Sequence, residues 1–379
     1  MTGLRDVLQG YVDDGTLAGA VGLVARGDHV EVEAAGSADL ERGTAMARDS
    51  IFRIASITKP IVAAAVMLLV DEGRIALDDP VGKWLPELAS PMVVRTPQSQ
   101  IDDLVPAVRP ITVEDLLTSR AGHGWPPPEL MTVPQVAMLA EHGQQKYGRD
   151  PQYVSPPDEW MAAYAEIPLL YQPGEAFLYN TGSDLQGVLI ARVTGRTLPD
   201  FMAERIFEPL GMKDTGFAVP AADLGRFTGY YGSGSGGLEL LDGPDGQWST
   251  MPAFPSGAGG LVSTADDWLA FARMLLAGGG ALLSPESVRL MTTDHLTPAQ
   301  RHAGTLYLEG QGWGYGGSLD VERIDPWNVP GRYGWVGGTG TAAHLTPSTG
   351  TVTIMLTQLA ATSPVQPRQM RDFWQYTAA

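Results

Sequence analysis

A serine and a lysine three positions apart are the residues in this sequence that most clearly could carry out a reaction together. Ser56 and Lys59 lie in a segment, 56–72, whose apolar residues recur at helical spacing. On a helix, side chains three positions apart are neighbours, with Cβ atoms about 5–6 Å apart. A serine hydroxyl is a poor nucleophile until a base takes its proton, and a lysine amine can be that base where its surroundings favour the neutral form. The pair therefore predicts a serine nucleophile beside a lysine that takes part in proton transfer.

The scarcity of lysine makes this spacing more informative than it is in most proteins. The chain has four lysines, at positions 59, 83, 146 and 213, and 56–59 is its one Ser-x-x-Lys sequence. An arginine at position 59 could hold a surface salt bridge equally well but could not act as a base. The alternative interpretation is a surface lysine that follows a helix-start serine by chance. If Ser56 lies in the first helical turn, its backbone N–H is also free to bind a developing oxyanion.

Several segments around and beyond this pair resemble those of a known superfamily, in the same order along the chain. They are Phe52–Pro60, Leu68–Ile75, Asp78–Val81, Ile111–Ser119, Ser256–Asp267 and Gly337–Gly340. The resemblance is to class C beta-lactamases and penicillin-binding-protein-like serine hydrolases, most of all to the family VIII carboxylesterases. It runs from residue 4 to residue 376, and matches in sequence order are more specific than any single motif. The resemblance implies that Ser56 and Lys59 are catalytic.

The superfamily has a second motif, Tyr-x-Asn, whose tyrosine shares proton transfer with the lysine. Residues 173–179 are similar to the usual approach to that tyrosine, but Asn180 follows Tyr179 directly, one position early. Alignment backwards from Gly187 would instead place Leu178 at the tyrosine position. We favour Tyr179 as the catalytic group, with Asn180 in contact with the substrate. The alternative is a tyrosine that packs at the start of a helix.

The third motif of the superfamily lies on an edge strand and begins with lysine or histidine, followed by x-Gly. Here Trp335 replaces the cation and Gly337 completes the motif, and the resemblance implies that the backbone N–H groups of Ser56 and Gly338 form the oxyanion hole. An indole cannot attract a substrate carboxylate, but it offers an apolar wall and one N–H donor, which suits an uncharged ester. Arg332, close by in sequence, could restore a positive charge. The alternative for this glycine-rich run is a plain turn between strands.

These residues predict the hydrolysis of small-molecule carboxylic esters through an acyl-enzyme on Ser56, with Asn180, Trp335 and Gly337 binding the substrate. The nearest alternatives are a D-amino-acid peptidase or amidase and a beta-lactamase, and the missing cation at Trp335 argues against both. An acyltransferase would use the same residues but admit an alcohol in place of water. A non-catalytic penicillin-binding-like module is the alternative from a different class of function, and the intact Ser56–Lys59 pair argues against it.

Composition excludes several other classes of function. The formal net charge of −18 disfavours nucleic acid and anionic membranes as partners, because both require clustered cations. The chain has no cysteine, its six histidines show no metal-ligand spacing and Gly-x-Ser-x-Gly is absent, so we expect neither a metal nor a cofactor. Residues 1–11 lack the basic start and apolar run of a secretory signal, which predicts a cytoplasmic protein. A homo-oligomer is compatible with the sequence.

Strand patterns lie at both ends of the chain, and helical patterns lie between them. The predicted strands are Ala20–Arg26, His29–Ala35, Gly340–Leu345 and Thr351–Gln358. The predicted helices are 1–11, 56–72, Thr112–Leu117, Asp184–Val193, Pro199–Glu208, Thr264–Leu276 and a last helix that contains Met370, Phe373 and Trp374. Arg95–Pro110 and Trp125–Pro157 are expected to be long loops, and Gly229–Trp248 an irregular connection.

This arrangement predicts a mixed α/β fold of the α+β type. An antiparallel sheet, closed by both ends of the chain and flanked by the N- and C-terminal helices, would carry an inserted all-helical region, as in beta-lactamases and transpeptidases. We expect one catalytic domain over residues 1–379. Its subdivision would be a sheet-and-helix part, 1–53 plus 254–379, and a mainly helical part, 54–253.

Overall fold

Both ends of the chain contribute strands to one large antiparallel sheet. The computed structural model describes residues 3–144 and 150–378. Its strands are β1 (Gly19–Arg26), β2 (His29–Asp39), β3 (Thr44–Ala45), β4 (Phe52–Arg53), β5 (Met92–Val94), β6 (Leu104–Pro106), β7 (Tyr230–Gly234), β8 (Gly237–Asp242), β9 (Val262–Ser263), β10 (Gly312–Trp313), β11 (Ser318–Leu319), β12 (Tyr333–Gly337), β13 (Thr341–Thr346) and β14 (Thr351–Thr357). The large sheet has the order β10-β11-β12-β13-β14-β1-β2-β3. The predicted antiparallel sheet is confirmed.

Strand β1 lies near the middle of this sheet and is covered on both faces. Val21 and Leu23 point into the larger hydrophobic core, whereas Ala20 and Val24 point into a smaller core on the opposite face. A strand buried on both faces is apolar at every position, which explains the continuous apolar run of β1. It turns into β2 at positions 27 and 28, where Gly27 has a φ of +59° that suits a tight turn.

Helices cover the two faces of the sheet. They are α1 (Leu4–Asp13), α2 (Lys59–Asp71), α3 (Val113–Leu117), α4 (Pro134–Leu139), α5 (Pro157–Ala165), α6 (Thr181–Thr194), α7 (Leu198–Met202), α8 (Glu208–Leu210), α9 (Ala265–Leu276), α10 (Pro285–Met291), α11 (Pro298–Ala303), α12 (Thr305–Leu308) and α13 (Arg368–Ala378). Helices α1 and α13 pack together on the outer face, and α9 packs against β13, β14 and β1 on the inner face. The predicted fold class is therefore confirmed, whereas the subdivision into two parts stays a prediction.

Three segments that were expected to lack regular structure contain short elements. Residues 95–110 include β6, which pairs with β5, and residues 229–248 include the hairpin of β7 and β8. Residues 125–157 include α4, although positions 145–149 of this segment lie outside the described residues. The expectation of continuous loops is wrong because strands of three residues and a helix of six are too short to show a periodic pattern.

Helix α2 forms the centre of the larger core. Every residue from Lys59 to Leu69 is buried, and the apolar ones belong to the cluster between the inner face of the sheet and the helical region. A helix that is buried on all sides carries apolar residues all round, as this one does. Within the described residues, no helix is both long and apolar enough to cross a bilayer.

Truncating the core at the far end of α2 tests the packing without touching the site at its start. Leu69 is 0% exposed, so we expect Leu69→Ala to lower the free energy of unfolding by about 2–5 kcal/mol through lost apolar contact and a residual cavity. Urea denaturation of purified protein measures this change. Val108→Ala is the matched surface control, because Val108 is 78% exposed, and it should change stability by less than about 0.5 kcal/mol. Equal effects would contradict the assigned core.

Candidate active site

Ser56 and Lys59 lie where a short 3₁₀ turn, Ala55–Thr58, continues into α2. Pro60 follows as an early residue of α2, where its fixed φ and missing N–H suit the first turn. Ala55 has a φ of +45°, an uncommon backbone conformation for a residue with a side chain. Such strain persists only where the surrounding structure enforces it, and it is concentrated at functional sites. The backbone thus enters the helix through a strained residue placed directly before Ser56.

The lysine amine contacts the serine hydroxyl in a position shielded from solvent. Lys59 is 0% exposed, and its Nζ donates to Ser56 Oγ over 2.9 Å and to the backbone carbonyl of Ala258 over 2.6 Å. The same nitrogen lies 4.7 Å from the centre of the Tyr179 ring. The alternative of a surface lysine beside a serine is therefore excluded. The structure brings the serine, the lysine and the tyrosine predicted from the sequence into one cluster.

Leu178 and Tyr179, the two alternatives for the tyrosine motif, have opposite surroundings. Leu178 is 0% exposed and packs in a small apolar cluster away from Ser56, whereas Tyr179 lines the cavity that contains Ser56. Tyr179 exchanges two backbone hydrogen bonds with Trp125, of 2.9 and 3.1 Å. Asn180 then adopts a φ of +86° before α6 begins, and it also lines the cavity. This strained turn directs the Tyr179 side chain toward Lys59.

An aromatic cluster fixes the ring of Tyr179. The indole Nε1 of Trp335 donates to the Tyr179 hydroxyl oxygen over 2.7 Å, Tyr307 stacks on the Tyr179 ring at 4.6 Å and Trp313 contacts its edge at 6.2 Å. Burial and the neighbouring Tyr179 raise the pKa of Tyr307, so Tyr307 stays a neutral phenol at physiological pH. The N–H of Trp335, which we expected to be available to a substrate, is thus used to orient Tyr179.

Arg332 does not restore a positive charge to the site. It is buried on the outer side of the sheet, where it forms an ion pair with Asp320 at 3.6 Å and stacks over Trp374 at 5.1 Å. It is absent from the lining of both lobes of the cavity at Ser56, whereas Trp335 lines the smaller lobe. The cleft therefore gains no charge from this arginine.

Two backbone N–H groups lie in positions suited to an oxyanion. The N–H of Ser56 lies in the first turn of its helix, where no intrahelical acceptor exists. Gly338 follows β12, and its N–H donates to no backbone acceptor within the described residues. Two hydroxyls hold these segments together, because Thr339 Oγ1 donates to the Arg53 carbonyl over 2.6 Å and Thr341 Oγ1 donates to the Ile54 carbonyl over 2.9 Å.

Gly337 is required for this close approach. A Cβ at position 337 would lie 2.6 Å from the Ile54 carbonyl oxygen and 2.2 Å from Thr341 Oγ1, both too short for real contacts. Strand β12 pairs with β11 only at Tyr333 and Gly334, so positions 335–337 keep one free side toward the cleft. Strand β12 lies between β11 and β13 in the sheet. Positions 335–337 nevertheless pair with β13 alone, so this part of β12 is an edge, as predicted.

A cavity of about 540 Å³ opens above Ser56, and a second lobe of about 180 Å³ adjoins it. Ser56, Tyr179, Tyr307 and Gly338 line both lobes. Among the residues that the structure describes, neither lobe is lined by an Asp, Glu, Lys, Arg or His side chain. Lys59 is buried below the surface of the cavity and is not part of its lining. The arrangement can place an uncharged group against the serine hydroxyl and a carbonyl oxygen against two N–H donors.

Comparison with known proteins assigns the chain to a family. The family model named Beta-lactamase matches residues 4–373. The chain belongs to the beta-lactamase family. This confirms the resemblance to class C beta-lactamases and penicillin-binding-protein-like serine hydrolases that the sequence segments indicated.

Two curated relatives and a solved structure are similar to this chain over most of its length. Protein Rv1367c of Mycobacterium tuberculosis is 38% identical over 359 residues, which cover 91% of this chain and 87% of the relative. Lovastatin esterase of Penicillium rubens is 32% identical over 358 residues, which cover 87% of this chain and 86% of the relative. The structure of EstCE1, a hydrolase with promiscuous acyltransferase activity, matches with a TM-score of 0.81 and 24% identity and covers 99% of this chain and 97% of that chain.

Two groups at the site were not identified from the sequence. The carbonyl of Ala258 holds Lys59, but a backbone acceptor 199 positions away leaves no side-chain signal, although the segment 256–267 was among those that resembled the superfamily. Tyr307 stacks on Tyr179, yet it lies in a four-residue helix too short for a periodic pattern. The Ala258 carbonyl and Tyr307 can therefore be located at the site only from the three-dimensional structure.

Removing the indole N–H tests whether Trp335 assists Tyr179. We expect Trp335→Phe to lower the kcat for a nitrophenyl ester about 10- to 100-fold, since a hydrogen bond to a group that carries developing charge contributes about 1.5–3 kcal/mol. Steady-state kinetics on purified variants measure this loss. Trp327→Phe is the control, because Trp327 is a half-buried indole that contacts Trp374 on the outer face of the sheet. Unchanged kcat in Trp335→Phe would show that its hydrogen bond is not used in catalysis.

Proposed function

We propose that this protein is a serine carboxylesterase that hydrolyses uncharged esters of small molecules through an acyl-enzyme on Ser56. The observation that carries the proposal is the 2.9 Å contact between Lys59 Nζ and Ser56 Oγ, buried below a cavity with an uncharged lining. A serine next to a shielded amine has the arrangement of an activated nucleophile. Membership of the beta-lactamase family and the 32% identity to a relative named lovastatin esterase support hydrolysis of esters.

In the first step, the Ser56 hydroxyl loses its proton and its oxygen attacks the ester carbonyl carbon. The acceptor of this proton is either Lys59 or Tyr179, which lie against each other beside Ser56. The Trp335 N–H donates to the Tyr179 hydroxyl oxygen and holds this oxygen in place for the proton transfer.

Negative charge then develops on the carbonyl oxygen of the tetrahedral intermediate. The N–H groups of Ser56 and Gly338 bind this oxygen, and each such donor contributes about 3 kcal/mol in comparable sites. Because the threonine bonds from positions 339 and 341 fix these segments before the substrate arrives, little reorganisation is needed. Collapse of the intermediate breaks the bond to the alcohol, which leaves with a proton passed through Tyr179.

In the second step, water attacks the acyl-enzyme at the same carbonyl carbon. The Lys59–Tyr179 pair accepts a proton from this water, and the same two N–H groups bind the second oxyanion. The Ser56 oxygen leaves and regains a proton, which restores the free enzyme and releases the carboxylic acid. No cofactor is required for either step.

Replacement of the nucleophile tests the proposal directly. We expect Ser56→Ala to lower the kcat/KM for a short-chain nitrophenyl ester by at least about 1000-fold and to abolish the mass gain produced by a fluorophosphonate probe. Ester hydrolysis assays and intact-protein mass spectrometry measure the two effects. Ser348→Ala is the matched control, because Ser348 is an exposed serine in the turn between β13 and β14 and lines neither lobe of the cleft, and it should keep both activities. A wild-type protein that neither hydrolyses esters nor reacts with the probe would instead be a non-catalytic binding module.

The same assays separate ester hydrolysis from the related reactions. A chromogenic cephalosporin reports beta-lactamase activity, a D-alanyl amide reports peptidase or amidase activity, and added alcohol reports acyl transfer. We expect the nitrophenyl ester to be turned over preferentially, because the cleft offers no cation for the carboxylate of the cephalosporin and no anion for the ammonium group of the amide. Preferential turnover of the lactam or the amide would overturn the esterase proposal.

The uncharged lining predicts discrimination against charged substrates. We expect the kcat/KM for 4-nitrophenyl butyrate to exceed that for the 4-nitrophenyl hemiester of succinate by at least about tenfold, because a buried carboxylate without a cationic partner costs several kcal/mol. Matched assays at pH 7 with the two esters measure the ratio. The methyl ester of the hemisuccinate, which is neutral but larger, controls for size. A hemisuccinate turned over as well as the butyrate would show that the cleft contains an unrecognised positive charge.

A further inference from the structure

A buried carboxylate lies behind the candidate catalytic residues and touches no reacting atom of the proposed mechanism. Asp184 belongs to the first turn of α6, is 0% exposed and lines neither lobe of the cleft. Its Oδ1 accepts a hydrogen bond from Ser256 Oγ over 2.6 Å and another from the backbone N–H of Ala258 over 3.2 Å. The carboxylate is therefore anchored to the segment 256–259, which crosses behind Lys59.

That segment is the one whose carbonyl holds the lysine. The Ala258 N–H points to Asp184, and the Ala258 carbonyl accepts from Lys59 Nζ over 2.6 Å. Ser256 Oγ also accepts from the N–H groups of Ala258 and Gly259, both over 3.2 Å. A continuous chain of hydrogen bonds thus runs from Asp184 through Ser256 and Ala258 to Lys59, and from there to Ser56. Movement of the carboxylate would displace the acceptor that fixes the amine.

Asp184 and Lys59 also interact electrostatically. Burial raises the pKa of Asp184 to about 6, while its hydrogen bond from Ser256, the charge of Lys59 and the Ala258 N–H act to lower it, so the carboxylate is ionised at pH 8. The titratable groups that face it are Lys59 and Tyr164, and Lys59 in turn faces Tyr179. A buried ammonium without a counter-charge is strongly disfavoured, and Asp184 supplies a negative charge close to Lys59.

We propose that Asp184 is a positioning residue that holds the Ala258 carbonyl against Lys59 and balances the charge of the lysine during proton transfer. This inference rests on the proposed esterase function, because it concerns the group that exchanges a proton with Ser56. Asp184 does not touch the substrate, so its effect reaches the reaction through Lys59 alone. A carboxylate that merely stabilised the start of α6 would affect the folding of the protein but not the proton equilibrium of the site.

The substitution Asp184→Asn preserves the shape and the acceptor oxygen but removes the charge. We expect the kcat for a neutral nitrophenyl ester to fall about 10- to 100-fold with KM changed less than about threefold, since the cleft itself is intact. In the wild type, burial raises the pKa of Asp184 to about 6, so the carboxylate loses its charge as the pH falls through this value. Asparagine has no charge to lose, so this step is absent from the variant. The acid limb of the kcat/KM profile therefore moves to lower pH in the variant.

A matched control separates this role from a structural one. Asp267 is also a buried carboxylate in the first turn of a helix, where it accepts from the Asp214 N–H and the Thr215 hydroxyl, both over 2.8 Å, and burial raises its pKa too. Asp267→Asn should leave kcat and the pH profile unchanged. The melting temperature of Asp184→Asn should stay within about 3 °C of the wild type, so that lost activity does not reflect lost folding.

A second variant tests the proposed path. Ser256→Ala removes the hydroxyl that joins Asp184 to the segment 256–259, and it should lower kcat by itself. In the double variant with Asp184→Asn, the losses should be smaller than the product of the two single losses, because both residues act on one carbonyl. The positioning role would be overturned if the kcat loss of the double variant equalled the product of the two single losses. It would also be overturned if the acid limb of the kcat/KM profile did not move in Asp184→Asn.

The two proposals fail in different ways. If wild-type protein does not hydrolyse any ester, the proposed function is wrong and the kinetic comparison cannot begin. If wild-type protein is active and Asp184→Asn matches it in kcat and pH profile, the esterase proposal stands and the role of Asp184 is refuted. Fluorophosphonate labelling of Ser56 gives a further readout, because we expect its rate to fall in Asp184→Asn in parallel with kcat.

Discussion

The buried amine of Lys59 imposes the strictest constraint on this fold. A cationic or neutral amine removed from water needs partners on every side, and here they are the Ser56 hydroxyl, the Ala258 carbonyl and the face of the Tyr179 ring. These three groups come from a helix start, a glycine-rich segment and a strained turn. The helical region and the sheet must therefore pack together around Lys59 Nζ, and the surrounding elements shield this atom from solvent.

The strand that completes the site is attached to the same point by short polar contacts. Thr339 and Thr341 bind the carbonyls of residues 53 and 54, so the turn after β12 and the residues before Ser56 move as one unit. Trp335, on the same strand, reaches the Tyr179 hydroxyl. In the proposed mechanism, each oxyanion donor and each proton-transfer group is thus fixed by a neighbour that has no direct chemical role. This is how a preorganised site differs from a surface cluster of the same residues.

The sequence predicted what depends on local spacing and missed what depends on distant backbone. Ser56 and Lys59 were identified because three-residue spacing on a helix makes them neighbours before any tertiary folding. Tyr179 was ambiguous, since the choice between positions 178 and 179 depends on the positive φ of Asn180, which no pattern of side chains reveals. The Ala258 carbonyl and the short strands β5 and β6 could not be predicted, because a backbone acceptor and a three-residue strand leave no periodic signal.

The pairing of β1 with β14 has a consequence for how the chain reaches its native state. Ala20 lies opposite Thr357 in this ladder, so two central strands of the large sheet come from distant parts of the sequence. Loop-closure entropy must be overcome before such a pair forms, and topologies of this kind fold slowly. During synthesis on the ribosome, β1 can pair with β2, but its other edge stays unpaired until β14 has emerged, and an unpaired apolar strand edge is prone to aggregation.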